Sequence, residues 1–192
     1  MTRAVKKPVT VKIRKGFGLK DECAAEAARA AEAAGAAAIT VHGRTREQFY
    51  SGQADWSAIR RVKEAVKIPV FGNGDINSAQ DAARMIRETG VDGIAIGRGA
   101  KGNPWLFGEI RSYLRDGSMP ARPTAHEVGN MILQHLALEL EYKPEHVAVR
   151  EMRKHVAWYT AGLPGSAALR RQVNEIETAA ALEEMIQTQI LR

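Results

Sequence analysis

The sequence predicts an α/β fold in which short parallel strands alternate with helices, followed by an all-α region. Two observations predict it. The first is a series of short apolar runs, at Val9–Ile13, Ala38–Val41, Val70–Phe71 and Gly93–Ile96. The second is that stretches of helical character separate these runs, at 19–34, 56–66 and 78–88. Such alternation is typical of parallel strands joined by helical crossovers, and we expect the strands to be buried on both faces.

The number of strands restricts the architecture. A closed TIM barrel needs eight strands in roughly 250 residues, whereas this sequence of 192 residues offers four apolar runs. We therefore interpret residues 1–116 as the C-terminal half, strands five to eight, of a TIM (β/α)8 barrel. A half barrel leaves two sheet edges and an apolar inner face uncovered, so we expect the chain to self-associate.

A glycine- and proline-containing stretch at residues 117–123 predicts a linker between two domains. After it, Thr124 and Glu127 form a capping box that opens a helix to about residue 142. Residues 124–192 are therefore predicted to form a separate, small all-α helical bundle. Its further helices are predicted at 144–161, from Ser166 onward, and from Thr178 to about Leu191.

Composition excludes several classes of protein. No apolar run approaches the roughly 20 residues that a membrane span needs, so we expect no membrane association. A single cysteine excludes an intrachain disulfide and, with no signal peptide predicted, favours a cytoplasmic location. The net charge of +6 indicates a mild preference for polyanions. No metal site is predicted.

Two glycine-rich turns follow the third and fourth apolar runs. The first contains Asn73, Gly74 and Asp75, and the second contains Gly97 and Arg98. Glycine lets the backbone turn sharply and approach a ligand closely. Turns of this kind at neighbouring strand ends predict a phosphate-binding edge, although either one alone is also ordinary turn chemistry.

Two further polar residues lie on the first two predicted strands. Alternation places Lys12 with Thr10 and Arg14 on one face, where it either meets a ligand or extends into solvent. His42 ends the second strand, where it either donates to a cofactor ring or bonds the neighbouring loop backbone. Arg44, two residues later, indicates an anion nearby.

Cys23 has acidic neighbours and alanines after it in a predicted helix, so we interpret it as a packing residue and not as a catalytic thiol. The helical region carries a stripe of basic and aromatic side chains that suits a nucleic-acid backbone, or is a solvated helix surface. The stripe includes Arg150, Lys154, His155, Tyr159, Arg170 and Arg171.

Taken together, the motifs resemble the bacterial tRNA-dihydrouridine synthases, the DusB-like branch most. They are V-K-I-R, H-G-R-T-R, G-N-G-D-I, I-G-R-G-A and G-N-P-W, with R-E-M-R-K-H-V-A-W-Y-T-A-G-L-P-G in the helical region. The resemblance covers nearly the whole chain. It implies an FMN-dependent enzyme on a TIM barrel that reduces uridine in tRNA to dihydrouridine, with NADPH as the electron source.

The resemblance also implies roles for individual residues. It places cofactor contacts at Lys12, His42, Asn73, Gly74, Asp75, Gly97 and Arg98. It places tRNA contacts in the helical region, at the stripe defined above. The family's proton-donating cysteine lies in a G-C-P loop that this sequence lacks, and Cys23 does not match it. We therefore expect no catalytic acid here and no activity from the chain alone.

Two other functions remain open from the residues. An FMN-dependent oxidoreductase of the dihydroorotate-dehydrogenase type would use the same strand ends on a small molecule. A non-catalytic RNA-binding module would use only the helical region.

Overall fold

A computed structural model describes residues 2–18 and 20–191 of the chain. Its sheet contains four parallel strands in the order β1-β2-β3-β4, which confirms the predicted parallel α/β fold. The strands are β1 Thr10–Arg14, β2 Ala38–His42, β3 Val70–Asn73 and β4 Gly93–Ala95. They are rich in β-branched residues, which pack well on a pleated surface.

One face of the sheet carries the apolar core. Ile39, Val41 and Val70 are fully buried there, packed against residues of the helices that connect the strands. These helices are α1 Ala24–Ala33, α2 Trp56–Ala65, α3 Ala79–Thr89 and α4 Leu106–Asp116. Burying this apolar surface is the main source of stability for the layer.

The opposite face of the sheet differs from the prediction in two ways. It is only partly buried, since Lys12 is exposed and Phe71 keeps 37% of its surface accessible, whereas His42 and Asn73 are buried. It is also not apolar, because strand alternation brings mainly polar side chains to it. These are Thr10, Lys12, Arg14, Thr40, His42 and Asn73.

The predicted ends of the connecting helices are mostly confirmed. Ser78 caps α3 by accepting a hydrogen bond from the Asp81 amide, and Gly90 ends this helix with φ 70°. The first helix begins at Ala24, later than predicted, because an isolated bridge between Gly16 and Glu22 holds the preceding loop. The predicted start at Leu19 lies outside the described residues.

Helix α4 was not predicted. Its apolar residues Leu106, Ile110 and Tyr113 follow helical spacing and pack into the core. The glycine-rich stretch before it, which dominates that part of the sequence, concealed this pattern.

The chain divides by its contacts into two compact units. The first comprises residues 1–99 and 106–119, and the second comprises residues 100–105 and 120–192. The sequence predicts residues 100–105 to be part of the partial barrel. In the structure this segment packs with the helical unit, where Trp105 stacks edge-on with Tyr159.

The second unit contains four further helices within the described residues. They are α5 Ala125–Tyr142, α6 Glu145–Tyr159, α7 Ser166–Val173 and α8 Ala179–Gln189. Their shared core includes Ile132, Leu136, Met152, Val156, Leu182 and Ile186. The capping box of Thr124 and Glu127 is formed as predicted. Ser166 is the first residue of α7 and does not cap it; Gly165, with φ 77°, takes the cap position.

Among the helices of the described part of the chain, none combines the length and apolar character that crossing a bilayer requires.

Candidate functional site at the carboxyl ends of the strands

The carboxyl ends of the four strands lie in one row. The parallel register pairs Arg14 with His42, His42 with Asn73, and Asn73 with Ala95. Residues far apart in the sequence are therefore neighbours at this edge of the sheet, which is where α/β folds commonly bind ligands.

Lys12 and Asn73 form the centre of this edge. The Lys12 Nζ donates to Asn73 Oδ1 over 3.3 Å, and Asn73 Nδ2 donates to the Ala95 carbonyl oxygen over 2.7 Å. The Asn73 amide is thus fixed in orientation between β1 and β4. Partial burial, and then the positive charge of Arg14, lower the pKa of the Lys12 ammonium.

His42 is nearly buried and is neutral at physiological pH. Its Nδ1 accepts a hydrogen bond from the Arg44 backbone amide over 3.1 Å, which assigns the ring proton to Nε2. Burial, followed by the charges of Lys12, Arg14 and Arg44, lowers the pKa of His42 to about 4. The ring is therefore hydrogen-bonded to the backbone of the neighbouring loop, which is one of the two alternatives predicted for His42. Its Nε2–H remains a neutral donor.

Asp75 is paired with Arg44 and holds the loop after β2 in place. Arg44 Nη2 donates to Asp75 Oδ2 over 2.9 Å, and the Ala54 amide donates to the same oxygen over 2.7 Å. Arg44 also donates to the carbonyl oxygens of Ser51 and Gly52. The Arg44 side chain is 3% exposed, so its guanidinium binds this loop and not an external anion, in contrast to the anion that the sequence indicated.

The carboxylate of Asp75 stays ionised well below neutral pH. Burial alone would raise its pKa, but hydrogen bonds from Arg44 and Ala54 and the charges of Arg44 and Arg98 lower it. Asp75 also has φ 58°, a conformation uncommon for residues other than glycine.

Gly74 is required at the turn after β3. Its φ is 124°, and a Cβ atom built on it would lie 2.6 Å from the Ala54 Cβ. Its carbonyl oxygen accepts a hydrogen bond from Trp56 Nε1 over 3.1 Å. The predicted glycine turn is therefore a backbone feature that positions its neighbours, Asn73 and Asp75.

Gly97 and Arg98 follow β4 and are exposed. A Cβ atom built on Gly97 would meet nothing within 4 Å, so its peptide is open to an approaching group. The Arg98 guanidinium lies 4.6 Å from the centre of the Tyr50 ring and 3.6 Å from Asp75 Oδ1. Sequence reasoning missed Tyr50 because it lies in a loop with no motif of its own.

The structure thus brings all seven sequence-predicted cofactor contacts to one edge of the first unit. Lys12 and Arg98 supply positive charge, Asn73 and the Nε2–H of His42 supply neutral polar groups, and Gly97 supplies open backbone. An anionic, planar ligand with polar ring atoms suits such a set of donors.

The sequence-predicted RNA contacts separate into two groups. Arg150, Lys154, Arg170 and Arg171 are exposed, the first two on α6 and the last two on α7. His155 and Tyr159 are half-buried instead, beside His135 of α5. The pKa of His155 is lowered by burial and by the neighbouring His135.

Cys23 differs from its predicted packing role. It is exposed and occupies the position before the first residue of α1, where its side chain makes no capping hydrogen bond.

The sequence matches the dihydrouridine synthase family over residues 1–192. A probable tRNA-dihydrouridine synthase of Rickettsia conorii is 47% identical over 95% of this chain and 55% of its own length. The tRNA-dihydrouridine synthase B of Pseudomonas aeruginosa is 47% identical over 92% of this chain and 53% of its own length. The chain spans about half the length of these curated relatives.

Among solved structures, a mandelate oxidase mutant with an FMN monooxide adduct aligns over 98% of this chain and 60% of its own. Its sequence identity is 17% and its TM-score 0.43. Family membership rests on the sequence matches and not on this alignment. The chain, matched from end to end by the family and closely related to two of its curated members, belongs to the dihydrouridine synthases.

Proposed function

We propose that this chain is part of a tRNA-dihydrouridine synthase, which reduces uridine in tRNA to 5,6-dihydrouridine with FMN as cofactor and NADPH as reductant. In this proposal the four strands are strands five to eight of a TIM barrel. The observation that carries it is that Lys12 bonds Asn73 while Arg98 lies beside Asp75, two residues after Asn73, in a chain of this family. A cytoplasmic location follows from the substrate.

The donors at the strand ends fit FMN. Bound there, the flavin would supply a hydride to the uracil ring. Lys12, Asn73 and His42 offer one ammonium, one fixed amide and one neutral N–H, which suit the polar atoms of the flavin ring. Gly97 and Arg98 offer an open peptide and a guanidinium, which suit the phosphate. Asp75 and Gly74 hold these groups in position.

The helical unit would contact tRNA through its exposed basic residues. Arg150 and Lys154 lie on α6, and Arg170 and Arg171 on α7. Exposed arginine and lysine side chains contact the phosphate backbone at little desolvation cost, so they bind RNA without reading its sequence.

We further propose that this chain by itself does not reduce uridine. Proton transfer to the uracil ring needs a positioned acid. The one cysteine of the sequence, Cys23, is exposed at the start of α1 and lies outside any G-C-P motif.

The decisive experiment is a flavin titration of the purified chain, followed by FMN fluorescence. We expect Lys12→Met to weaken FMN binding by roughly 10-fold, the value of one charge-assisted hydrogen bond. Lys67→Met is the matched control, because Lys67 is exposed and lies outside the strand ends. Equal affinities for the two variants, or no FMN binding by the parent chain, would contradict the proposed site.

The reaction itself is tested with a fusion protein. The part of the Pseudomonas aeruginosa relative that precedes the matched region would be joined to this chain and incubated with NADPH and unmodified tRNA. We expect dihydrouridine from the fusion and none from the chain alone. Turnover by the unfused chain would overturn the proposed inactivity.

We also propose that the chain self-associates through its outer strands. Strands β1 and β4 stand at the two ends of the sheet order, and unpaired strand edges are open to pairing with another copy. The sequence also predicted association through an apolar sheet face, but this face is mainly polar and gives no such reason. Size-exclusion chromatography that gives a monomer at every concentration would contradict this.

A further inference from the structure

A cluster of two histidines and a glutamate lies between two helices of the second unit. His135 and Glu139 occupy positions one turn apart on α5, so they share a face, and His155 projects from α6. One ligand atom from each residue lies within 4.8 Å of the other two. From this geometry we propose a transition-metal site, with Zn²⁺ as the ion it suits best.

The distances match a tetrahedral ion. Zinc binds histidine nitrogen at about 2.0–2.1 Å, which places two ligands of one tetrahedral ion about 3.3 Å apart. His135 Nε2 lies 3.6 Å from Glu139 Oε1, and the centres of the His135 and His155 rings are 4.6 Å apart. The three ligand atoms lie within 4.8 Å of one another, so they would have to move closer together when the ion binds.

The donor types select among cations. Two imidazoles and one carboxylate suit zinc and its neighbours in the first transition series, whereas Mg²⁺ and Ca²⁺ prefer oxygen ligands alone. Three protein ligands leave a fourth position, which water fills.

Neighbouring groups orient two of the ligands. The Tyr159 hydroxyl lies 3.3 Å from His135 Nδ1, so a hydrogen bond there leaves Nε2, which faces Glu139, as the coordinating atom. The Lys143 ammonium lies 2.5 Å from Glu139 Oε2. The other carboxylate oxygen, Oε1, faces His135. Metal ligands in proteins commonly have such outer partners.

A metal here would fasten α5 to α6 and would make His155 and Tyr159 structural residues of the helical unit. Their half-buried positions agree with this, in contrast to the exposed Arg150 and Lys154. The inference does not depend on the proposed function, because its test uses neither tRNA nor flavin.

The test is a Zn²⁺ titration of the EDTA-treated, dialysed chain against a chromophoric chelator, repeated with Co²⁺ to record its visible absorption. We expect one Zn²⁺ per chain and the spectrum of tetrahedral Co²⁺. His155→Ala and His135→Ala should weaken binding by more than ~100-fold, and Tyr159→Phe by roughly 10-fold. His126→Ala and His146→Ala are the controls, since both side chains are exposed on the same two helices.

Glu139→Gln keeps the shape of the side chain and decides the matter if a histidine variant fails to fold, as judged by circular dichroism. We expect it to weaken binding by at least ~10-fold. The inference is overturned if the parent chain binds no stoichiometric Zn²⁺, if Glu139→Gln binds as tightly as the parent, or if His146→Ala loses as much affinity as His155→Ala.

Discussion

Basic side chains occur both at the strand ends of the first unit and on helices α6 and α7 of the second. The two sets differ in burial and in the number of their partners within the protein. At the strand ends, the Arg44 side chain is 3% exposed, pairs with Asp75 and donates hydrogen bonds to loop carbonyl oxygens. Lys12 donates a hydrogen bond to Asn73. On α6 and α7, Arg150, Lys154, Arg170 and Arg171 are exposed.

This difference separates two kinds of recognition. Charges fixed by internal partners keep a defined geometry, which a small ligand with a set shape requires. Exposed charges on flexible stems attract a polyanion without fixing its position. In the proposed function, the first unit would therefore hold a ligand in a fixed geometry and the second would add affinity for the tRNA backbone. The following experiments test these two roles.

The largest effect is expected from Arg44→Ala. Its removal leaves the Asp75 carboxylate without its main counter-charge and two loop carbonyls without their donor. We expect a loss of about 3 kcal/mol in unfolding free energy, the lower end for a broken buried pair, because the Asp75 side chain keeps 29% of its surface accessible. Urea unfolding measures it. Arg60→Ala is the control, because its pair with Glu64 is exposed and contributes at most ~0.5 kcal/mol. Equal losses of unfolding free energy in the two variants would contradict the structural role of Arg44.

The second effect is a dependence of stability on pH. The folded pKa of His42 is about 4, below the unfolded value of 6.5, so between these values the unfolded chain binds more protons. Stability is therefore retained above pH 6.5 and lost as pH falls toward 4, by at most ~3 kcal/mol. His42→Asn should flatten this slope in urea unfolding, whereas His146→Asn should not. An unchanged slope would contradict the buried, neutral state.

The third effect concerns the exposed charges of α7. We expect replacement of Arg170 and Arg171 by alanine to reduce the slope of log affinity for tRNA against log salt by roughly 1 per residue. Filter binding over a range of salt concentrations measures this slope. The control is Arg87→Ala, which removes an exposed charge from α3. If that variant changes the slope as much, charge in general and not α7 attracts the RNA.

The smallest effect is expected from a helix cap of the second unit. Thr124→Ala removes the side chain that accepts from the Glu127 amide over 3.2 Å and should cost about 1 kcal/mol. Ser166→Ala, which removes a hydroxyl that caps nothing, should change the unfolding free energy by much less. Thermal unfolding compares the two variants, and a larger loss from Ser166→Ala would show that the cap assignment is wrong.

Local signals in the sequence were enough for most elements of the fold. Ser78, Gly90 and Thr124 mark helix ends through contacts within a few residues, so the sequence reveals them. Helix α4 has regular apolar spacing, but the glycine-rich stretch before it concealed this pattern, and the helix was missed. The polar character of the open sheet face follows from strand alternation and was predictable in principle.

The sequence by itself determined the parallel α/β pattern and the residue types at each strand end, because both depend on neighbours in the chain. It also determined the family, through motifs along its whole length. Tertiary structure alone decided which groups meet. Arg44 and Asp75 are brought together by two parallel strands, and His135 and His155 by two packed helices. Such partners are set by register and packing between distant segments, which short-range patterns do not contain.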